Sequence, residues 1–278
     1  MAAVLLALLT ASSYGLSDFI GGIASKTRSA WAVAAANCLI AAVCTIAVSL
    51  FVTGNPRGED FAWAVGGGVG EGVGIAFLYR GLSRGRMGVV APIAGIGSAL
   101  IPFLTGVATG EQLTLLSLVG VAIAFPALYL VPQREAAAID GQGEGGFFEG
   151  VIAGIGFGAQ FAFIGQIEAG AGLLPIGLLL LAATAAVIVS ALLLRQPWLL
   201  RVDELRPSVA CGLLNATAVV SFLLATQQGL LAIVSVIAAL YPAITVGLAA
   251  FVLEEKIGRL QAVGMALTVI AVVLVTAG

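Results

Sequence analysis

The stretch LLPIGLLLLAATAAVIVSALLL, residues 173–194, decides the fold class of this chain. It is as long as the roughly 20 apolar residues that a helix needs to cross a bilayer, and it carries no charged side chain. A membrane-spanning strand would be about 9–11 residues long and would alternate in polarity. The stretch therefore predicts a transmembrane α-helix.

Further apolar runs of similar length lie on both sides of this stretch. Together they predict helices over about residues 2–23, 30–52, 61–79, 87–108, 113–131, 148–167, 173–194, 207–226, 230–252 and 258–277. Only 9% of the 278 residues are charged and 60% are hydrophobic, whereas soluble domains have about 25% and 45–50%. So few charges cannot cover a soluble body of this size, but they suffice when helices face lipid. We predict an all-α integral membrane protein with ten transmembrane helices.

The basic residues are distributed very unevenly between the two sides of the predicted membrane. Apart from Arg57, every Lys and Arg falls in a loop on the side opposite the N-terminus. The positive-inside rule places that side in the cytoplasm. Both termini are therefore predicted on the outer, non-cytoplasmic side of the cytoplasmic (cell) membrane.

The two halves of the chain align when the sequence is shifted by 144 residues. Glu111 then pairs with Glu255, and Gly120 pairs with Gly264. Both glutamates lie at loop edges and are expected to be solvated or to cap helices. The shift predicts a five-helix repeat at 1–131, a polar linker at 132–147 and a second repeat at 148–278. Because each repeat has an odd number of helices, the copies insert with opposite orientation, as a 5+5 inverted repeat around a central cavity.

Three segments carry a family resemblance: YGLSDFIGG at 14–22, FLYRGLSRGRMGVVAPI at 77–93, and SVIAALYPAITVGLAAFVLEEKIGRLQAVGMAL at 235–267. With them, nearly the whole chain resembles the EamA-type branch of the drug/metabolite transporter superfamily. The resemblance implies a ten-helix inverted-repeat fold that moves small metabolites through a central cavity, usually outward. It also implies cytoplasmic termini, the reverse of what the loop charges predict.

Glu71 is the first candidate for substrate or proton binding. It lies in the middle of the third predicted helix, in GGGVGEGVG at 66–74. Ionisable groups inside a membrane are costly and mark ion or substrate pathways, and a low-dielectric site favours the neutral form of a carboxyl group. Such a group can carry a proton or pair with a cationic substrate. The alternative is a structural hydrogen bond to a neighbouring helix, with the glycines serving packing alone.

Other polar residues are predicted in the same layer near the midplane. Asn215 is the repeat equivalent of Glu71, and Asp18 and Asn37 fall at similar depth in the first two helices. For Asp18 the structural alternative is a hydrogen bond to Asn37 or to a backbone amide. Tyr14 lies one turn before Asp18 on the same helix face. The remaining candidates are Tyr241 as a cavity-lining residue and Gln160 in the outer part of the cavity.

Proline residues predict breaks in two helices. Pro242 cannot bond to the carbonyl of Ala238, which predicts a hinge or a carbonyl-lined pocket, or else a static bend. Pro92 and Pro102 raise the same alternatives in the other repeat.

The composition also limits the function. The chain has no histidine, no cysteine pair with metal-binding spacing and no Gly-Lys-Ser/Thr after its glycines, so no metal, cofactor or nucleotide site is expected. We predict a secondary active transporter for a small, amino-acid-like or related polar or amphipathic metabolite, an exporter driven by protons or by the substrate gradient. The alternatives are a multidrug or organic-cation exporter and a non-transporting assembly or interaction protein. The expected partners are the small-molecule substrate, protons and membrane lipid, without nucleic acid. A monomer is sufficient for this function, and the sequence is also compatible with an oligomer.

Overall fold

The computed structural model describes residues 1–83, 87–130, 146–252 and 258–277. Within these ranges the chain forms α-helices and one 3-10 helix, Val202–Glu204, and no strand. The α-helices are α1 Ala2–Ala24, α2 Ala30–Ser49, α3 Gly58–Ser83, α4 Met87–Ala108, α5 Leu115–Leu130, α6 Phe147–Ile164, α7 Leu174–Leu193, α8 Leu205–Thr226, α9 Leu231–Ala238, α10 Tyr241–Val252 and α11 Arg259–Ala277. The predicted all-α class is confirmed there. Most of the predicted linker, and Glu255, lie outside the described residues.

Six of these helices, α1, α2, α3, α6, α7 and α8, are long and apolar enough to cross a membrane. Shorter apolar stretches cover Ile93–Ala108, Leu115–Leu130, Leu231–Thr245 and Ala262–Val275, where the other four spans are predicted. Large apolar side chains such as Leu5, at 63% exposure, face outward and need a lipid surface. The chain is a multi-pass membrane protein, and the number of ten spans stays a prediction.

The predicted ninth helix, 230–252, is not continuous. It is divided into α9 and α10, which are separated by a turn at Ala239 and Leu240. The break directly precedes Tyr241-Pro242, where proline lacks the N–H that would continue the helix and its ring displaces the carbonyl four residues earlier. The interruption of this helix that Pro242 predicted is therefore present, just before the proline.

Helices from before and after the predicted linker are interlocked. α3 packs against α6 and α7, while α8, its predicted repeat counterpart, packs against α1 and α2. α5 packs against α11, again a pair of predicted counterparts. This reciprocal packing is the pattern expected of two repeats that share one core.

Loops predicted on the same side of the membrane contact each other. Arg57, between α2 and α3, forms an ion pair of 2.9 Å with Glu168, between α6 and α7. Asp60 links the same two loops, because it accepts hydrogen bonds from the amides of Arg57 at 2.7 Å and Glu168 at 2.8 Å. On the other side, Ser29 before α2 donates to the carbonyl of Pro197 after α7 at 2.6 Å.

Glu111, between α4 and α5, caps α9 across the molecule. Its Oε1 accepts from the amide of Leu231 at 2.6 Å and its Oε2 accepts from the amide of Ala232 at 2.9 Å. The first amides of a helix have no intrahelical acceptor, and the positive end of the helix dipole favours a carboxylate. Of the two roles expected for Glu111, the structure shows helix capping.

Replacing Glu111 with alanine is expected to destabilise the protein by about 1–2 kcal/mol, because α9 loses its cap. Thermal unfolding of the purified protein in detergent micelles measures the change. Gln112→Ala, at the exposed neighbouring residue, is the matched control and should leave the midpoint unchanged. Equal midpoints for both variants would mean that the cap does not contribute to stability.

Candidate functional site

Glu71, in the middle of α3, is the centre of a buried hydrogen-bond network. It is 1% exposed. Asn215 of α8 donates from Nδ2 to Glu71 Oε1 at 2.7 Å, and Gln160 of α6 donates from Nε2 to Glu71 Oε2 at 3.0 Å. Both carboxyl oxygens are therefore bonded to amide donors from helices that follow the linker.

The bond between Glu71 and Asn215 joins residues that the predicted repeat makes equivalent. They are 144 residues apart, which is the shift that aligns the two halves of the sequence. Inverted repeats are related by a pseudo-two-fold axis in the membrane plane. Equivalent side chains can touch only where they lie next to such an axis, so this bond marks the position where the axis would run.

Tyr14 of α1 extends the network toward an aromatic group. Gln160 Nε2 donates to Tyr14 OH at 3.0 Å. The ring centroid of Tyr14 lies 6.0 Å from that of Phe161 and 6.3 Å from that of Tyr241. Gln160 is fully buried, so it belongs to the central layer and not to the outer cavity in which the sequence placed it.

Asp18 faces a narrow cavity beside this network. The cavity is also lined by Tyr14, Phe157, Phe161 and Tyr241, and its volume is about 10 Å³. Asp18 is 6% exposed, and within the described part of the chain its carboxyl group has neither a hydrogen-bond donor nor a cationic partner. Ligand pockets usually hold about 300–1,000 Å³, so this cavity beside the unpaired carboxyl group is too small for a substrate unless the surrounding helices move apart.

Asn37 belongs to a second cluster, which is centred on Tyr79 of α3. Asn37 Nδ2 donates to Tyr79 OH at 3.0 Å, and Tyr79 OH donates to the carbonyl of Ser17 at 3.5 Å. Ser17 precedes Asp18, so Asn37 and Asp18 do lie at similar depth. The hydrogen bond between Asp18 and Asn37, considered above as the structural alternative, does not form in the described structure.

The three prolines lie at different positions in their helices. Pro242 is the second residue of α10, immediately after the break that follows α9. Pro92 and Pro102 lie within α4, which continues past both of them. A hinge at any of the three stays a prediction.

The glycines around Glu71 allow two helices to approach α3. Side chains added at Gly66, Gly70 and Gly74 would meet residues of α6, and those added at Gly68 and Gly72 would meet residues of α7. Each set is spaced by four residues, the spacing of small residues at close helix–helix contacts in membranes. Backbone packing thus holds α3, and Glu71 with it, against the second half of the chain.

Tyr79, Phe157 and Phe161 are site residues that sequence reasoning missed. Tyr79 follows Glu71 by eight residues, and Phe157 precedes Gln160 by three; both spacings keep residues on about the same face of a helix. That periodicity is the signal that could have found them. Phe161 also stacks on Phe222 at 4.2 Å, which anchors the aromatic wall of the cavity.

A metal site would need several ligating side chains close together among the residues that the structure describes. Among them, no group of three or more Cys, Asp and Glu side chains is arranged to hold a metal ion. The three cysteines Cys38, Cys44 and Cys211 are free thiols.

The fold and this site define a class: a multi-pass helical membrane protein whose buried polar centre is shared by helices from both ends of the chain. The EamA-like transporter family model matches twice, at residues 1–132 and 145–277. The chain belongs to this family. The two matches begin 144 residues apart, the same shift as the internal repeat.

Comparison with solved structures supports the fold. One crystal structure of a protein superposes with a TM-score of 0.75 at 17% identity, covering 99% of this chain and 98% of the other. At that identity the likeness concerns the fold alone. No curated protein sequence matches.

Proposed function

We propose that this protein is a secondary active transporter that exports a small metabolite across the cytoplasmic membrane, with protons as the coupling ion. The substrate is an amino-acid-like or related small polar or amphipathic compound. The proposed architecture is a 5+5 inverted repeat of ten spans, with the repeats at 1–131 and 148–278 joined by the linker at 132–147. The proposal rests on membership of a transporter family and on the polar centre between the halves.

The observation that carries the proposal is the 2.7 Å bond between Glu71 and Asn215. An alternating-access transporter needs a site that both halves share and that either side can open. Opening of this site toward one side of the membrane admits water to the carboxyl group. Since hydration favours the charged form of a carboxyl group, this exposure lets Glu71 release or accept a proton.

Asp18 supports a substrate that carries an ammonium group. Its side chain lines the same cavity as four aromatic residues, Tyr14, Tyr241, Phe157 and Phe161. A carboxylate beside aromatic faces is an arrangement that binds cations through ion pairing and cation–π attraction. We assign the substrate's ammonium group to Asp18 and the coupling proton to Glu71.

The same arrangement also favours an organic-cation exporter as a second candidate. The two candidates differ in whether the substrate carries a second polar group. Transport of amino acids, but not of quaternary ammonium compounds of similar size, would support the metabolite transporter, and the reverse result would support the second candidate.

The proposed orientation places both termini outside the cell. It follows from the loop charges, and it makes the end of α1 and the start of α2 cytoplasmic. Labelling single cysteines from outside intact cells, one at Ser29 and one at Asn55 on the opposite side, distinguishes this orientation from its reverse.

The function is tested by a comparative metabolite screen. Cells that express the wild type, Glu71→Gln or an empty vector are compared by mass spectrometry of medium and cytosol. One compound should be depleted from the cytosol and enriched in the medium with the wild type alone. If reconstituted protein also moves none of the candidate compounds, the proposal fails and a non-transporting assembly or interaction protein is favoured.

Asp18→Asn is expected to raise the KM for an ammonium-bearing substrate by about 10- to 100-fold, because hydrogen bonds to charged groups contribute about 1.5–3 kcal/mol. Concentration-dependent flux in proteoliposomes measures this change. Glu59→Gln, at an exposed carboxylate at the start of α3, is the control. An unchanged KM in a well-folded Asp18→Asn protein would rule out Asp18 as the ammonium partner.

A further inference from the structure

A second and larger cavity lies at the face of the molecule that the loop charges predict to be cytoplasmic. It is formed by the α1–α2 connection, the end of α3 and the end of α7, and its volume is about 430 Å³. Its polar lining comes from Ser25, Arg28, Ser29, Arg80, Ser83 and Gln196. The volume is within the range of small-molecule sites. None of the residues proposed above for transport lines it.

The cavity carries an excess of positive charge. Arg28 and Arg80 line it, and no acidic residue of the described chain does. The nearest carboxylates lie outside the lining: Glu204 is 4.0 Å from Arg28, and Glu149 is 3.7 Å from Arg80. These distances are at the outer limit of ion pairing, so both guanidinium groups keep donors for an anion.

The N-terminus of α2 adds backbone donors to the same wall. Ser29 accepts from the amide of Ala32, whereas the amides of Ala30 and Trp31 have no acceptor in the described part of the chain. Ala30 and Trp31 line the cavity. The positive end of the α2 dipole therefore lies at the cavity wall, as in other anion sites.

Ser25 adds an unpartnered polar group to the wall of the cavity. It is 4% exposed, it lines the cavity, and its hydroxyl group has no hydrogen-bond partner among the described residues. Buried hydroxyl groups are almost always partnered in folded proteins. Rotation of the Ser25 side chain toward the cavity would let an acceptor oxygen there supply the partner.

We propose that this cavity binds a phosphate group. Two guanidinium groups, the start of a helix and a buried hydroxyl group surround it, and a phosphate offers oxygens in several directions at once. The cavity is larger than a free phosphate ion, and Trp31, Leu194 and Pro197 add an apolar wall for the glycerol part of a phospholipid. The source of the phosphate is either an anionic lipid headgroup or inorganic phosphate.

The test compares ligands on the purified full-length protein in detergent micelles. Phosphatidylglycerol, phosphatidylcholine and inorganic phosphate are titrated, with binding followed by native mass spectrometry and the thermal unfolding midpoint. Phosphatidylglycerol is expected to bind the wild type at least about 10-fold more tightly than phosphatidylcholine, and high salt should weaken it. Competition by inorganic phosphate would show that the two ligands share the site.

The variants assign this binding to the cavity. Arg28→Gln and Arg80→Gln are each expected to weaken it by about 10-fold, since each removes a charge-assisted hydrogen bond. Arg201→Gln, at an exposed arginine of the same α7–α8 connection that does not line the cavity, should bind as the wild type does. Ser25→Ala leaves the charge unchanged. It should weaken binding several-fold without disturbing the fold.

Each outcome decides the proposal. Binding of phosphatidylglycerol that is lost in the arginine variants supports a lipid source, and binding of inorganic phosphate alone supports a free ion. The proposal is overturned if the wild type binds neither in preference to phosphatidylcholine, or if folded Arg28→Gln and Arg80→Gln both bind like Arg201→Gln. None of these results depends on transport, so the proposed function is tested separately.

Discussion

Glu71→Gln is expected to abolish the pH dependence of transport while leaving the protein folded. The substitution keeps the size of the side chain but removes the group that can take up and release a proton. With a pH difference of about one unit across the membrane, one coupled proton per substrate can drive a gradient of about 10-fold, since each tenfold ratio corresponds to about 1.4 kcal/mol. The variant should reach equal substrate concentrations on both sides.

The surroundings of Glu71 explain why the variant should fold. A glutamine at this position brings an N–H donor toward Asn215 or Gln160, both of which now donate to the carboxylate. Asn215 Oδ1 and Gln160 Oε1 have no hydrogen-bond partner among the described residues. Rotation of either amide therefore supplies an acceptor, and the expected loss of stability is about 1 kcal/mol.

The measurement uses proteoliposomes with an imposed pH gradient and the substrate found in the metabolite screen. Glu59→Gln is the matched control, because it neutralises an exposed carboxylate on the same helix. Asn215→Ala, which keeps the carboxyl group but removes one donor, should retain pH-dependent transport with the profile displaced along the pH axis. A folded Glu71→Gln protein that still accumulates substrate against the gradient would exclude Glu71 as the proton carrier.

The sequence predicted the position of Glu71 and Asn215 because their relation is one of symmetry. A constant shift of 144 residues pairs them, and both fall in the middle of their predicted helices, the depth at which the in-plane axis of an inverted repeat would run. The family model, matched at 1–132 and 145–277, repeats with the same shift. Span positions were predictable for a similar reason, since they follow from length and hydropathy.

The contacts of Asn37, Gln160 and Tyr79 could not be predicted in the same way. They depend on how each helix is rotated about its axis and how closely it approaches its neighbours, and these quantities are set by packing. Gln160 was placed in an outer cavity, yet it donates to both Glu71 and Tyr14. Tyr79 was not among the predicted site residues. Its hydroxyl group nevertheless accepts the hydrogen bond from Asn37 that was considered for Asp18.

Gly68→Ala and Gly72→Ala are expected to be strongly destabilising, because α3 and α7 touch through their backbones at these positions. A Cβ atom at Gly68 would overlap the carbonyl oxygen of Leu179, and one at Gly72 would overlap that of Ala183. Backbone atoms cannot rotate away as a flexible side chain can, so the helices must separate. Overpacking of this kind costs about 1–3 kcal/mol per site, a large part of the roughly 5–15 kcal/mol that stabilises a folded protein.

Gly247→Ala in α10 provides the matched control, because the same atom is added where there is room for it. Among the described residues that pack against this position, the nearest atom to a Cβ at Gly247 is Cε of Met265, at 4.0 Å. Alanine is favoured over glycine in a helix by up to about 1 kcal/mol, so this variant should be unchanged or more stable. Thermal unfolding and size-exclusion chromatography in detergent should therefore show a lower stability for Gly68→Ala and Gly72→Ala and an equal or higher stability for Gly247→Ala. A Gly68→Ala/Gly72→Ala protein as stable as Gly247→Ala would mean that α3 and α7 can separate without loss, and that their backbone contact does not hold Glu71 in place.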